Sequence, residues 1–276
     1  MGSLICALAS YLDARHCGGT WLVRMEDLDP PREIPGAAQS ILNSLQAHGL
    51  HWDGEVMWQS QRAGAYDAAL EQLQERGLSY RCDCSRARLA DSGGIYPGYC
   101  REQPPVADAE CAIRVKVDGS GLIEVHDSLQ QPLREDLARD CGDFIIHRRD
   151  GLYAYQLAVV VDDCAQGVTQ VLRGSDLYDS TPRQIHLQRL LGCDTPEYTH
   201  IPVITNEQGQ KLSKQTHAPA LDEAAAADNL RYALQFLRQP VAAAGESLET
   251  LLSSAVENWQ REAIPRTPGI PQSTIC

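Results

Sequence analysis

The sequence predicts an α/β layered fold. Within residues 1–77, apolar positions at helical spacing alternate with a segment in which every second residue is apolar, which gives the order helix, strand, helix, helix. The 276 residues, 43% of them hydrophobic, suit one large domain or a core domain with an insertion. No apolar run reaches the roughly 18 residues of a membrane span, and no signal peptide opens the chain, so we expect a cytoplasmic protein.

The first predicted helix covers residues 3–17, and the first predicted strand follows it in T-W-L-V-R-M-E-D (20–27). Ser3 is placed to act as the helix N-cap, and Gly18 and Gly19 are placed to end the helix. The apolar stripe of the helix consists of Leu4, Leu8, Tyr11 and Leu12. The strand residues predicted to face the core are Trp21, Val23 and Met25.

Two more helices are predicted over residues 36–48 and 62–76, ending near Gly49 and Gly77. Their apolar stripes consist of Ile41, Leu42, Leu45, Tyr66, Leu70 and Leu73.

Further along, Asp150-Gly151 predicts a tight turn between strands at 143–149 and 152–161. Thr181 and Pro182 predict the N-cap and first position of a helix that runs to Leu191.

Composition divides the chain into four predicted parts. Residues 78–118 contain four cysteines, a glycine-rich turn, a proline pair and a short strand at 111–117, which together indicate an insertion. The end of the chain is rich in alanine and leucine, which predicts helices followed by a frayed, proline-containing tail. The parts are residues 1–77, 78–118, 119–217 and 218–276.

The insertion contains a local cluster of thiols, Cys82, Cys84 and Cys100. Three thiolates suit a soft tetrahedral ion such as zinc, and the phenolate of Tyr96 could be the fourth ligand. The alternative is three ordinary thiols in a loop. Most of the ten cysteines are expected to be reduced, because a chain of this length without an export signal does not need disulfides.

Two charged segments could belong to a binding site or could be solvated loops. R-M-E-D-L-D-P-P-R (24–32) follows a predicted strand, and the carboxyl ends of parallel strands line the ligand crevice of an open α/β sheet. Glu26 could there receive an ammonium group. K-L-S-K-Q (211–215) could be a clamp for phosphate.

The net charge of −13 gives no overall electrostatic support for nucleic-acid binding. Any contact with RNA would need a local basic patch such as residues 147–149.

Together these segments resemble the glutamyl type of the class I aminoacyl-tRNA synthetase family. The similar segments are R-M-E-D-L-D-P-P-R, L-Y-A-Y-Q-L-A-V-V-V-D-D (152–163), V-L-R-G-S-D-L (171–177) and K-L-S-K-Q, which resembles the family's K-M-S-K-S loop. The resemblance implies a Rossmann-like catalytic core with a zinc-bearing insertion and a helical C-terminal segment. It implies that Glu26, Tyr155 and Arg173 bind glutamate, Arg173 as a charge-assisted donor to a carboxylate. It also implies that ATP, with Mg²⁺, is bound by Gly2, Ser3, Lys211, Ser213 and Lys214, with Lys214 and Lys211 acting in catalysis.

Within the family, the chain is most similar to the short paralogues that transfer glutamate to the queuosine of tRNA(Asp). C-D-C followed by G-G-I-Y-P-G-Y-C resembles their zinc site, which implies Zn²⁺ on Cys82, Cys84, Tyr96 and Cys100. The implied partners are L-glutamate, ATP and tRNA(Asp) bearing queuosine. The resemblance also implies a monomer that does not bind a membrane.

The chain departs from the family at its start, where Gly2 and Ser3 match only the end of an H-x-G-x motif. We therefore expect the first core strand to be missing, through a start assigned too late or a true truncation. The alternatives are a weak or inactive paralogue that keeps the fold, a zinc-dependent RNA-binding module, and a fragment of an ordinary glutamyl-tRNA synthetase.

Overall fold

The computed structural model describes residues 1–211, 221–241 and 245–274, which form mixed layers of helices and strands. The helices are α1 Gly2–His16, α2 Ala37–Ala47, α3 Ala63–Glu75, α4 Tyr99–Glu102, α5 Leu137–Asp140, α6 Tyr155–Gln166, α7 Thr181–Leu191, α8 Ala226–Phe236 and α9 Leu248–Glu257. The strands are β1 Arg24–Met25, β2 Met57–Trp58, β3 Ser79–Cys82, β4 Ala112–Val115, β5 Leu122–Val125, β6 Leu133–Asp136, β7 Phe144–His147, β8 Gln170–Gly174, β9 Glu197–Ile201, β10 Val203–Thr205 and β11 Gly269–Pro271. Among the described helices, none is long and apolar enough to cross a membrane.

The strands separate into parallel and antiparallel groups. β1 pairs with β2, β8 with β9, and β10 with β11, all in parallel. The antiparallel groups are β3-β4-β7, which carries the insertion, and the hairpin β5-β6. Glu26 follows β1 directly, and Arg173 lies one residue before the end of β8. Both residues therefore lie where parallel strands end, which the sequence predicted for Glu26.

Two large hydrophobic clusters form most of the interior of the described chain, and a third, small one consists of Cys82, Tyr96 and Cys100. The first gathers α1, the β1 segment, α8 and α9 around Leu8, Leu12 and Leu230. The second gathers α3, β4, β7, α6 and α7 around Tyr66 and Leu157. These clusters hold β1, α6 and β8 in place, and those three elements carry the predicted glutamate-binding residues.

The predicted α/β fold is confirmed, but the short strand β2 lies between the second and third helices, where no strand was predicted, and the ends of several elements differ. Helix α1 begins at Gly2, so Ser3 lies inside it and Met1 is the N-cap. Trp21, Val23 and Met25 are buried as predicted, whereas Leu22 between them is exposed. The predicted helix stops Gly49 and Gly77 have φ values of +71° and +65°, which glycine adopts without steric cost.

Two secondary-structure predictions were wrong. Residues 155–161 belong to helix α6 and not to a strand. The helix is buried on most of its surface, so its apolar residues run together as in a buried strand and periodicity does not separate the two. The tail is not frayed throughout, because Gly269–Pro271 pairs with β10.

Two predicted positions also differ from the structure. Ile41 is 51% exposed, because α2 buries Leu42 instead. Thr181 is the first residue of α7, one position beyond the N-cap, which is Ser180.

One pair of cysteines departs from the expectation of reduced thiols. Cys164 in α6 and Cys193 just after α7 form a disulfide with their Cα atoms 5.7 Å apart. The bond joins the C-terminal ends of α6 and α7, which pack side by side.

Candidate active site

Three elements bring Glu26, Tyr155 and Arg173 together, and we call this group the Glu26 site. Tyr155 is the first residue of α6, and its hydroxyl lies 3.4 Å from Arg173 Nη1, which donates to it. Burial raises the pKa of Tyr155, while the charges of Arg173 and Glu26 act on it in opposite directions. The carboxylate and the guanidinium are therefore both close enough to the phenol to influence its ionisation.

Glu26 is partly exposed and partly shielded from water by the protein around it. Its side chain is 45% exposed, yet surrounding protein displaces enough water to raise the pKa of its carboxyl group. The nearest cation is Arg24, whose Nη2 lies 3.9 Å from Glu26 Oε1. Arg24 is already engaged, since the same Nη2 lies 2.8 Å from Asp163 Oδ1. Within the described residues, the ion pair of Glu26 with Arg24 is therefore a long one, and the partly exposed carboxylate can accept a cationic group from a ligand.

Two adjacent carboxylates of α6 connect the helix to neighbouring elements. Asp163 accepts from Arg24, which fixes α6 against β1. Burial raises the pKa of Asp163 even though Arg24 opposes this effect. Asp162 is fully buried and accepts hydrogen bonds from Gln59, Arg62 and Tyr66. Tyr155 is consequently held at the start of a firmly anchored helix.

Arg173 is only 8% exposed, and each of its three nitrogens donates a hydrogen bond. The partners apart from Tyr155 are Thr181 Oγ1 at 3.0 Å, Gln184 Oε1 at 2.7 Å and His200 Nε2 at 3.0 Å. These three residues were not predicted from the sequence to belong to the site, and Thr181 was predicted only as a helix N-cap. A signal was present in β9, where Thr199 and His200 are polar residues in a strand next to the one that carries Arg173.

The structure describes only some of the predicted nucleotide-binding residues. Lys211 Nζ lies 2.5 Å from Asp176 Oδ2, just beyond the end of β8. Ser213 and Lys214 lie outside the described residues. Gly2 and Ser3 form the exposed first positions of α1. The first hydrogen bond of α1 runs from the Ile5 amide to Met1, so the earlier amides have no acceptor within the helix.

The groups that act on the Cys6 thiol indicate that the start of α1 and Lys211 lie on the same side of the molecule. Burial raises the pKa of the Cys6 thiol to about 11, and a backbone hydrogen bond with Gly174 and the charges of Asp176 and Lys211 also act on it. Helix α1 therefore passes the end of β8, where Lys211 is held. Free helix-terminal amides and a lysine near one another suit an anion such as phosphate.

The cysteine cluster, Cys82, Cys84 and Cys100, is assembled as predicted. Its three sulfurs lie within 4.8 Å of one another, and Cys84 Sγ is 3.5 Å from Cys100 Sγ. The Tyr96 hydroxyl is 3.4 Å from Cys82 Sγ and 3.6 Å from Cys84 Sγ. Ligands of a tetrahedral zinc ion with bonds of about 2.3 Å are about 3.8 Å apart. The donor set and its spacing therefore fit such an ion.

The surroundings of the cluster favour thiolate at Cys82, whereas burial raises the pKa of Cys84 to about 11. Burial would raise the pKa of Cys82, but hydrogen bonds with Tyr96 and Arg114 lower it to about 7. Arg114 Nε lies 3.2 Å from Cys82 Sγ, and its guanidinium lies 3.8 Å from the centre of the Tyr96 ring. Cys82 and Cys100 are buried, so a bound ion would be enclosed by protein. An enclosed site of this kind is structural and not catalytic.

The family match decides the classification of the chain. The family described as tRNA synthetases class I (E and Q), catalytic domain, matches residues 1–95 and 101–253. The chain belongs to this family. As a member of the class I tRNA synthetases it is a ligase-type enzyme, and this class uses ATP with Mg²⁺.

Two curated relatives of this class I synthetase are similar over almost the whole chain. The glutamyl-Q tRNA(Asp) synthetase of Escherichia coli strain K12 is 53% identical over 270 residues, 96% of this chain and 86% of that protein. The glutamyl-Q tRNA(Asp) synthetase of Pseudomonas aeruginosa is 50% identical over 276 residues, 99% of this chain and 94% of that protein.

Two crystal structures share the fold of this class I synthetase. The glutamate-tRNA synthetase of Elizabethkingia anophelis has a TM-score of 0.80 and 20% identity over 99% of this chain. A glutamate tRNA ligase of Elizabethkingia meningosepticum, in complex with its amino acid, has the same TM-score and identity over 98% of this chain. The chain spans 66% and 64% of the lengths of these two proteins. The predicted class I catalytic core is thereby confirmed.

Proposed function

We propose that the chain activates L-glutamate with ATP, without tRNA, and transfers the glutamyl group to the queuosine of tRNA(Asp). The observation that carries the proposal is the convergence of Glu26, Tyr155 and Arg173 at the ends of β1, α6 and β8. The names of the two relatives, at 50% and 53% identity, support the choice of acceptor.

Each residue of the Glu26 site has a role in holding glutamate. The partly exposed carboxylate of Glu26 receives the α-ammonium group. Arg173 and Tyr155 offer donors to a carboxylate, and a charge-assisted hydrogen bond from a buried guanidinium is among the stronger polar contacts in proteins. Because its other donors are occupied inside the protein, Arg173 presents Nη1 on the side of Tyr155.

In the activation step, an oxygen of the glutamate α-carboxylate forms a bond to the α-phosphorus of ATP. The bond from that phosphorus to the bridging oxygen breaks, and pyrophosphate leaves with the electron pair. The protein contributes by positioning and by neutralising charge. Lys211, Lys214 and the free amides of Gly2 and Ser3 receive the phosphates, and Mg²⁺ supplies further charge neutralisation when bound.

In the transfer step, a hydroxyl of the queuosine cyclopentenediol attacks the activated carbonyl. An ester forms, AMP leaves with the electron pair of the broken bond, and the hydroxyl proton passes to solvent. Residues 1–77 and 119–217 would form the catalytic core for both steps, with residues 78–118 as the metal-bearing insertion and 218–276 as a helical segment.

We also propose that Cys82, Cys84, Tyr96 and Cys100 hold a structural Zn²⁺. The sulfur spacing and the lowered pKa of Cys82 support this. Purified protein should contain one zinc per chain by elemental mass spectrometry, and Cys100→Ser should lose it. Cys111→Ser is the matched control, because Cys111 is a free thiol outside the cluster. Equal zinc content in the two variants would contradict the site.

The proposed function is tested by glutamate-dependent exchange of labelled pyrophosphate into ATP, without tRNA. Exchange is expected in the wild type and should fall in Arg173→Lys, because lysine cannot reproduce the several directed donors of arginine. Stabilisation by ATP plus glutamate without exchange would indicate a binding paralogue instead.

The acceptor is tested with labelled glutamate and two tRNAs. Label should attach to tRNA(Asp) bearing queuosine and not to the same tRNA lacking it. Charging of the terminal adenosine of tRNA(Glu) would contradict the proposed acceptor and indicate an ordinary glutamyl-tRNA synthetase.

A further inference from the structure

A buried chain of three side chains lies behind the Glu26 site. Arg173 Nε lies 3.0 Å from His200 Nε2, and His200 Nδ1 lies 2.6 Å from Asp127 Oδ2. The side chains of His200 and Asp127 are both fully buried. A polar chain of this kind requires every member to have a partner, because each unpaired buried group would cost stability.

The direction of each hydrogen bond in the chain is fixed by the arginine. A guanidinium can only donate, so His200 Nε2 must accept and must carry no proton. The proton of the neutral ring is then on Nδ1, where it is donated to Asp127. Burial lowers the pKa of His200 despite the opposing effect of Asp127, which agrees with a neutral ring.

The position of the ring is also fixed. His200 stacks on Tyr198 at 14° between the ring planes, with the ring centres 6.0 Å apart. Tyr178 contacts it from another direction, with its ring centre 4.9 Å away. The imidazole therefore has little freedom to turn or to exchange its two nitrogens.

Asp127 is held by the backbone of its own loop. Its Oδ1 accepts from the amides of Leu129 at 2.9 Å and Gln130 at 2.8 Å, and lies 3.3 Å from the His200 amide. Oδ2 is left for the imidazole. Burial would raise the pKa of Asp127, but the hydrogen bonds from His200 and from these amides hold it below its ordinary value.

We propose that Asp127 and His200 are positioning residues that fix the guanidinium of Arg173 for binding a carboxylate of glutamate. The inference rests on the proposed glutamate-binding role of Arg173. His200 accepts the hydrogen bond from Arg173 Nε, while Thr181 and Gln184 accept hydrogen bonds from Arg173 Nη2. Nη1 is thereby directed to Tyr155 and the ligand.

Asp127→Asn tests the inference with almost no change in shape. The amides of Leu129 and Gln130 donate to the position of Oδ1 and so require an oxygen there. The new NH₂ group therefore occupies the position of Oδ2 and donates to His200 Nδ1. The ring proton must then move to Nε2, where it faces the N–H of Arg173. The glutamate Kd should rise about 10-fold or more, the value of a lost hydrogen bond to a charged group. The Kd for ATP should stay within about 2-fold, because the nucleotide does not depend on this edge of Arg173.

Asp13→Asn is the matched control. Asp13 is also a buried aspartate, 4% exposed, but it accepts from Trp259 and Arg261 away from Arg173. The Asp13→Asn substitution should leave the glutamate Kd within about 2-fold of the wild type. Long-range ¹H–¹⁵N spectra of the histidine rings should show Nδ1–H for His200 in the wild type and Nε2–H in Asp127→Asn.

A second pair of variants separates positioning from folding. The side-chain amide of His200→Gln can place an oxygen near the position of Nε2, so its glutamate Kd should remain closer to wild type than that of His200→Phe. Both variants remove the imidazole from the same buried position, so a merely structural role would affect them alike.

The inference would be overturned by an Asp127→Asn protein whose glutamate Kd matches that of Asp13→Asn, or by equal Kd values for His200→Gln and His200→Phe. The proposed function fails in a different way. If the proposed function is wrong, wild-type protein binds no glutamate by calorimetry and gives no exchange, and the inference about Asp127 and His200 is then wrong as well.

Discussion

Lys211 and Asp176 form an ion pair that ties the start of the K-L-S-K-Q segment to the end of β8. Lys211 Nζ lies 2.5 Å from Asp176 Oδ2, with the two side chains 50% and 33% exposed. Asp176 is three residues beyond Arg173, so the lysine is kept close to the Glu26 site. An anionic phosphate would compete with Asp176 for the same ammonium group.

Lys211→Ala should raise the KM for ATP in the exchange reaction about 10-fold, because one charge-assisted contact to phosphate is lost. The KM for glutamate should change little. Asp176→Asn should change the free energy of unfolding by less than about 1 kcal/mol, since exposed ion pairs contribute little to stability. Arg139→Ala, which breaks an exposed pair with Asp140, is the control. An unchanged KM for ATP in Lys211→Ala would contradict the nucleotide role.

Glu26→Gln should abolish most glutamate-dependent exchange and at the same time stabilise the protein at neutral pH. The pKa of Glu26 is raised by burial above its ordinary value of 4.5, so the folded state binds this proton more tightly than the unfolded state. The contribution of Glu26 to stability is therefore present below pH 4.5 and is lost as the pH rises through the raised pKa.

Thermal unfolding of both proteins at pH 4 and pH 7 checks this sign. The variant should gain Tm over the wild type at pH 7 and should gain less at pH 4. Glu33→Gln changes an exposed carboxylate of the same segment and serves as the control. A variant that is less stable than wild type at pH 7 would show that the charge of Glu26 stabilises the fold.

Gly142→Ala should weaken metal binding at the cysteine cluster. A Cβ at residue 142 would lie 2.6 Å from the Tyr96 carbonyl oxygen and 2.7 Å from its amide nitrogen, so the backbone of Tyr96 would have to move. Loss of a well-placed ligand or its support typically weakens a metal site by about 10- to 100-fold. Competition with a chromogenic chelator measures the zinc Kd.

Gly93→Ala is the control for that measurement. Gly93 also has a positive φ, +62°, but a Cβ there meets nothing within 4 Å. It therefore reports the conformational cost of alanine at a positive φ without the collision. Equal effects of the two substitutions would show that contact with Tyr96 is not what positions the fourth donor.

Reduction of the Cys164–Cys193 disulfide should lower the free energy of unfolding by about 3 to 4 kcal/mol, the chain-entropy value for a loop of this length. Cys164→Ser should show a similar loss and should no longer respond to reductant. Cys17→Ser, at an exposed free thiol, is the control. Thiol titration of unreduced, denatured protein should find two thiols fewer than the ten cysteines in the sequence, and ten would contradict the bond.

Local patterns were sufficient to place part of the site. The position of Glu26 after a strand was predicted correctly because Trp21, Val23 and Met25 alternate, and a period of two reports which face of a strand is buried. The cysteine cluster was found because its members lie within nineteen residues of sequence. In both cases the physical cause acts over a short stretch of chain.

The hydrogen-bond chain behind Arg173 could not be found in this way. His200 and Asp127 are 73 residues apart, and their contact depends on how β9 packs against the loop before β6. The helix at Tyr155 was missed for a related reason, since burial on most of its surface is a tertiary property. Long-range packing, which no local pattern encodes, decided both outcomes.

The packing of α1 has a consequence for how the protein is made. Asp13 accepts hydrogen bonds from Arg261, 248 residues later in the chain, and the apolar face of α1 packs against α8 and α9. During synthesis α1 is made long before these partners exist. Its leucines therefore lack these partners until α8 and α9 have been synthesised, so this hydrophobic cluster cannot be completed before then.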